Sequence, residues 1–423
     1  MKRRIFALVL SFVVLALGAG CAQNAPAAVT PTPAAAPSAA PTATPEPTPT
    51  PDPVAEQMET MTTEQKVGQL LVTGIEGTQP GEDAVQAIQT AQVGGIILFG
   101  RNVESASQLV ELTNGLKELN GDAVPLFLGV DQEGGRVDRM PPEVDRTPSA
   151  GQVGQSENWN EMGAAYGALL SAECAAFGFN LDFAPCLDIW SNPENTVIGD
   201  RAFGGDWETV SDFGFYAVQA MEEAGNVVPV VKHFPGHGDT STDSHVDLPV
   251  VDKTLDDLRQ GELAPFDIAL SGEYWGEPKM DPAPAVMVAH ILMTQIDPDL
   301  PASLSPKVVT GLLRQEMGYE GMVCTDDLTM GAISSTYGMG EAAVMAVEAG
   351  CDLLLVCHGA DNLTAARDAL LEAVETGRIS QERLDESVYR ILSVKQSYGL
   401  TSDPVPEPDL EALNAQIQGL LSQ

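Results

Sequence analysis

Eight short apolar runs recur along the chain, at 70–74, 94–99, 125–130, 179–184, 227–231, 285–289, 321–324 and 352–357. None alternates apolar with polar residues over its length. A strand with one wet face must alternate at period two, so continuous apolar strands predict a parallel sheet covered on both faces. Helical patterns separate the runs, near 105–119, 159–177, 209–223, 307–317 and 341–349, and two more at 365–375 and 381–396 close the unit. Thr62-Thr63-Glu64-Gln65 has the spacing of a capping box and predicts a helix start. Eight strand–helix alternations predict an α/β fold of the (β/α)8 TIM-barrel type over residues 56–400, with an open doubly wound sheet as the alternative. Residues 271–284 read as a surface insertion, and 401–423 as a helical tail packed on the outside.

The segment before the barrel has another character. Lys2, Arg3 and Arg4 precede an almost wholly apolar stretch, 5–20, too short for a membrane span and matching a secretory signal over residues 1–20. It ends in small residues before Cys21, which resembles a lipoprotein cleavage site and marks Cys21 as a lipidation candidate. Residues 21–55 then form a linker rich in Ala, Pro and Thr, with ten of the thirty prolines. Such a composition buries no core and predicts a disordered, extended tether reaching on the order of 100 Å. Together these features predict an extracytoplasmic protein held on the bacterial cell membrane by its lipid, or alternatively a secreted one.

Charge narrows the partners. The formal net charge of −39 argues against nucleic acid and against electrostatic docking on anionic lipid, because both need clustered Lys and Arg. Cys174, Cys186, Cys324, Cys351 and Cys357 lie in apolar runs without paired spacing and read as small buried residues rather than disulfides.

Polar clusters follow the strand ends, and in a barrel all these ends share the rim on which sites are built. The third run leads into Asp131-Gln132-Glu133-Gly134-Gly135-Arg136 and Arg139, the fourth into Asp188 and then Asp200-Arg201. The fifth leads into Lys232-His233-Phe234-Pro235-Gly236-His237 and on to Asp243 and His245; the sixth meets His290; the seventh reaches Asp326-Asp327. Arg and Asp together suit hydroxyl-rich or carboxylate-bearing ligands, although ion pairs that brace loops use the same residues. Three of the five histidines fall within 233–245. His233 and His237 are four apart, but Pro235 and Gly236 break the helix that would aim both at a metal, so acid–base work by His245, oriented by Asp243, fits better than zinc. Asp326 is placed to act as a nucleophile over the barrel mouth, with Asp327 turned to cap the next turn. A carboxylate that assists the substrate's own acetamido group is the alternative chemistry.

KHFPGHGDTSTDSH at 232–245, GVDQEGGRVDR at 129–139, TDDLTM at 325–330 and VIGDR at 197–201 together resemble the β-N-acetylhexosaminidases of glycoside hydrolase family 3, from about Thr62 to about Gly399. The resemblance implies a (β/α)8 enzyme that releases terminal β-linked N-acetylglucosamine with retention of configuration and needs no metal or organic cofactor. It implies Asp326 as nucleophile, His245 as general acid/base with Asp243 as its dyad partner, and Asp131, Arg139, Arg201, Lys232 and His233 as sugar-binding residues. The expected partner is a small oligosaccharide or muropeptide, met by a monomer. A phosphorylase, or a tethered sugar-binding protein without catalysis, would carry much the same motifs.

Overall fold

The computed structural model describes residues 52–240, 248–274 and 276–422. Ten strands occur among them: β1 Leu71–Gly74, β2 Gly95–Ile97, β3 Phe127–Val130, β4 Leu181–Asp182, β5 Val228–Phe234, β6 Val250–Val251, β7 Ala285–Val288, β8 Leu292–Met293, β9 Met322–Asp327 and β10 Leu353–Val356. All but β6 and β8 close into a parallel barrel in the order β1-β10-β9-β7-β5-β4-β3-β2. Closure is made at β1, where Thr73 pairs with Val356 on one side and with Ile96 on the other. The eight barrel strands coincide with the eight apolar runs.

Two strands outrun the apolar pattern. β5 continues through Lys232, His233 and Phe234, and β9 continues through Thr325, Asp326 and Asp327. Hydropathy stops at the last apolar residue, whereas backbone pairing continues, with Phe234 opposite Val288 and Thr325 also opposite Val288 from the other side. Lys232, His233, Asp326 and Asp327 are therefore set on strand ends rather than on free loops, which fixes them more tightly. The small parallel pair β6–β8, with Val250 opposite Leu292, is too short to leave a periodic signature.

Local signals place the helices. Thr62 and Gln65 satisfy each other's backbone N–H groups in a capping box at the helix Thr63–Gln69. Ser105 caps Ala106–Asn120 by accepting from the Gln108 N–H, and Asp206 caps Trp207–Ala224 through the Thr209 N–H. Helix Trp159–Ala176 packs closely on Trp207–Ala224 because Gly167 has no side chain; a Cβ there would lie 2.1 Å from the Ala217 carbonyl oxygen. The helix Leu410–Leu421 buries Leu413, Ile417 and Leu420, and it packs on Trp159–Ala176.

The barrel floor is tied by one carboxylate. Asp352, fully buried just before β10, accepts from Arg314 Nη2 at 2.5 Å, Arg390 Nη1 at 3.2 Å, Ser387 Oγ at 2.8 Å and the Val323 N–H at 3.0 Å. It lies at the N-terminal ends of the strands, the end that barrels use for stability.

Candidate active site

The opposite end opens into a cavity of about 510 Å³. Its walls include Asp131 and Arg139 after β3, Arg201 after β4, Lys232 and His233 on β5, and Asp326 on β9. Every described residue expected from the sequence to bind sugar or attack it thus lines one pocket. Asp243 and His245 lie outside the described residues, as does Cys21.

One residue that the sequence reasoning did not assign organises this wall. Glu133 is 2% exposed and meets two cations: Arg201 bidentately, at 2.7 and 2.8 Å, and Lys232 at 2.5 Å. Lys232 also reaches Asp131 at 2.7 Å. Burial alone would raise the Glu133 pKa, but the Arg201 and Lys232 charges overrule it and hold the carboxyl well below the usual range. Burial likewise pulls the Lys232 ammonium down, and Asp131 and Glu133 more than restore it, so the lysine stays charged. The motif DQEGGR placed Glu133 in the loop, but only the fold shows that it turns inward beneath the two cations.

A second buried carboxylate holds the histidine. Asp188 Oδ2 accepts from His233 Nδ1 at 2.6 Å, and its Oδ1 accepts from the His237 N–H at 2.6 Å. That bond fixes the His233 ring, so Nε2 faces the pocket and stands 3.3 Å from Arg201 Nη2. Burial would raise the Asp188 pKa, but His233 and His237 lower it on balance. Cys186, Asp188 and His233 bring three potential metal donors together. Hydrogen bonds account for this grouping: the Cys186 thiol donates to Asp188 at 3.1 Å, and burial keeps that thiol protonated, far from a thiolate ligand. The nearby Arg201 cation also disfavours a metal ion. The loop after β5 lies tight on its neighbour, since a Cβ on Gly238 would fall 1.8 Å from the Ile189 carbonyl oxygen.

Asp326 sits where β9 meets the mouth. Burial acts to raise its pKa, but the neighbouring His290 and His233 rings, the Asp327 N–H and Lys232 together lower it, leaving a carboxylate at neutral pH. The Asp327 N–H donates to Asp326 Oδ1 at 2.8 Å. Asp327 is turned aside as expected: it accepts from Thr329 N–H at 2.9 Å, Thr329 Oγ1 at 2.6 Å and Cys357 N–H at 3.0 Å. His290, fully buried, is kept neutral by that burial. Its Nε2–H donates to the Asp327 carbonyl at 3.0 Å while Nδ1 accepts from Ser303 at 2.7 Å, so it braces the Asp326–Asp327 backbone. The sequence marked His290 only as the residue after a strand.

The arginines divide by role. Arg136 donates to the Thr196, Val197 and Ile198 carbonyls and pairs with Asp200, which is loop bracing. Arg139 has no carboxylate partner among the described residues, and its buried Nε has no hydrogen-bond partner there. In a chain this acidic, a cation lining the cavity without a counter-charge is a ready donor for a ligand.

A carboxylate facing paired cations at the C-terminal mouth of a (β/α)8 barrel is the kind of site on which barrel enzymes act. Comparison with known proteins gives the family: residues 62–394 match the model of the glycosyl hydrolase family 3 N terminal domain, and the chain belongs to that family. It is 33% identical over 375 residues to "Beta-hexosaminidase A" of Pseudoalteromonas piscicida, covering 79% of this chain but 61% of that relative. It is also 33% identical over 338 residues to "Beta-hexosaminidase" of Nitrosomonas eutropha, covering 77% of this chain and 92% of the relative. Among solved structures, the family 3 beta-N-acetylglucosaminidase from Paenibacillus sp. str. FPU-7 superposes with a TM-score of 0.77 at 42% identity, covering 85% of this chain and 68% of that one.

Proposed function

We propose that this glycoside hydrolase is an exo-acting, retaining β-N-acetylhexosaminidase that releases terminal β-linked N-acetylglucosamine. The observation that carries the reading is Asp326, a half-buried carboxylate held ionised in a cavity whose other wall presents Asp131, Arg139, Arg201, Lys232 and His233. Asp326 attacks the anomeric carbon, forming a bond to its carboxylate oxygen as the glycosidic bond breaks. Protonated His245, oriented by Asp243, gives its proton to the departing oxygen. Neutral His245 then takes a proton from water, whose oxygen displaces Asp326 and frees the sugar. The sugar ring hydroxyls are held by the Asp131–Lys232 pair and by Arg201 and His233, with Arg139 as a further donor.

The resemblance in 232–245 and the names of the similar proteins support the N-acetylglucosamine preference. Aryl N-acetyl-β-glucosaminide is expected to be cleaved well and the aryl glucoside poorly, and the reverse preference would sink the assignment. His245→Ala should lose about 10²–10⁴-fold in kcat on an unactivated disaccharide while sparing substrates with activated leaving groups. Equal losses on both substrates would remove His245 from the proton-transfer role. Running the same assays with and without phosphate separates hydrolysis from phosphorolysis, which would yield a sugar 1-phosphate.

Cys21 as the lipid-bearing residue, followed by a Pro/Ala/Thr tether, belongs to the same proposal and places the enzyme outside the cytoplasm, acting on oligosaccharides or muropeptides. Cys21→Ser is expected to move activity from the membrane fraction to the soluble fraction, as measured after cell fractionation. Activity that stays with the membrane would exclude a lipid at Cys21.

A further inference from the structure

The loop after β3 carries Asp131, Glu133 and Arg139 into the cavity with almost no regular structure to hold it; Gly134 and Val137 form a single bridge. Its support comes from beneath. Gln132 is fully buried, and three of its hydrogen-bonding groups are engaged in three directions. Its main-chain N–H donates to Asp182 Oδ1 at 2.9 Å, its Oε1 accepts from the Arg139 N–H at 2.8 Å, and its Nε2 donates to Glu173 Oε2 at 2.8 Å. The Arg139 N–H can only donate, so the amide orientation is fixed.

Glu173 projects from the helix Trp159–Ala176 and is also fully buried. Its second oxygen meets the Thr147 hydroxyl, and the Thr147 carbonyl accepts from the Gly135 N–H at 2.8 Å. One carboxyl group therefore ties both ends of the segment 132–147. No cation pairs with Glu173 among the described residues. The titratable groups around it are Asp138 from the loop, and Tyr166 and Cys174 from its own helix. Burial, reinforced by Asp138, pushes its pKa up to about 8, so at neutral pH it is a neutral acid. Its Oε1 accepts from the Thr147 hydroxyl and its Oε2 from Gln132 Nε2.

We propose that Gln132 and Glu173 are positioning residues for the sugar-binding loop, setting the reach of Arg139 and Asp131 through a buried hydrogen-bond relay. The inference rests on the hydrolase reading only for its kinetic arm. Gln132→Leu and Glu173→Leu are expected to raise KM about tenfold on aryl N-acetyl-β-glucosaminide, with kcat changed much less. Glu173→Gln has the shape and donor–acceptor capacity of the neutral acid, and it should bring KM back to within about twofold of the parent. The parent KM should also climb above pH 8 as Glu173 ionises, and Glu173→Gln should flatten that rise.

Hydrogen–deuterium exchange of peptides spanning 131–147 is the arm that needs no substrate. Faster exchange there in both Leu variants, with parent-like exchange in Glu173→Gln, is expected. Unchanged exchange in the Leu variants would overturn the relay, and so would a Glu173→Gln protein as impaired as Glu173→Leu. A parent that fails to cleave the glycoside would instead overturn the hydrolase reading, leaving exchange to decide the relay.

Discussion

Asp326→Ala is expected to abolish turnover of aryl N-acetyl-β-glucosaminide, a loss of about 10³-fold or more in kcat. The magnitude follows from what the residue does at its position. A carboxylate half-buried at the end of β9 and held ionised is preorganised to meet the positive charge that grows at the anomeric carbon. Among the described residues the nearby carboxylates are otherwise engaged: Asp327 is committed to Thr329 and to the Cys357 N–H, and Asp131 is paired with Lys232. The loss should therefore appear with activated and unactivated leaving groups alike, unlike that of His245→Ala. Because the Asp326 pKa is lowered, the parent should keep its ionised nucleophile as pH falls to the ordinary carboxylate range, and the acid limb of kcat/KM should begin below it. Substrate affinity measured with an unreactive sugar should survive, since the other sugar contacts remain. A purified Asp326→Ala enzyme with more than about a tenth of parental kcat would remove Asp326 from the covalent role. If that activity were blocked by a thiazoline, the substrate's acetamido group would be the nucleophile instead.

The barrel was legible because its strands are buried on both faces, and unbroken apolar runs are the strongest pattern that a parallel sheet leaves in a sequence. The ends of β5 and β9 were not legible, because Lys232, His233, Asp326 and Asp327 break the hydropathy while the backbone keeps its pairing. The residues that line the cavity could be named from motifs; their supports could not. Glu133, Asp188, Gln132, Glu173 and His290 each make at least one contact with a residue 37 or more positions away, such as Arg201 with Glu133 or His290 with Asp327. Neither spacing nor composition encodes which way such a side chain turns. Charge composition was informative in a different way. It excluded polyanion partners, but the distinction between Arg136, which braces a loop, and Arg139, which lacks a carboxylate partner among the described residues, needed coordinates.

Glu133→Ala and Asp352→Ala should destabilise the protein by similar amounts and differ in what they do to the site. Each removes a buried carboxylate from a cluster of cations: Arg201 and Lys232 for Glu133, and Arg314, Arg383 and Arg390 for Asp352. Breaking a buried pair by deleting one partner leaves uncompensated charge out of water, which costs about 3–5 kcal/mol. Urea titrations should therefore show midpoints lowered by comparable amounts, with the slope unchanged. The Glu133 contribution has a defined pH window. Its folded pKa lies below the ordinary glutamate value of 4.5, so the stabilisation is fully present above that value and drains away as pH falls through the depressed one. The difference between parent and Glu133→Ala should be flat near neutrality and shrink on the acid side. The kinetic outcomes should separate the two variants. Asp352 lies at the foot of the strands and its loss should leave KM near the parental value in protein that remains folded. Glu133 sets the separation of Arg201 and Lys232 across the cavity wall, and without it Lys232 keeps Asp131 while Arg201 loses its carboxylate partner among the described residues. KM should then rise about tenfold or more in the fraction that folds, since small displacements of binding groups carry large penalties. Equal KM values for the two variants would mean that Glu133 holds the fold together without shaping the pocket.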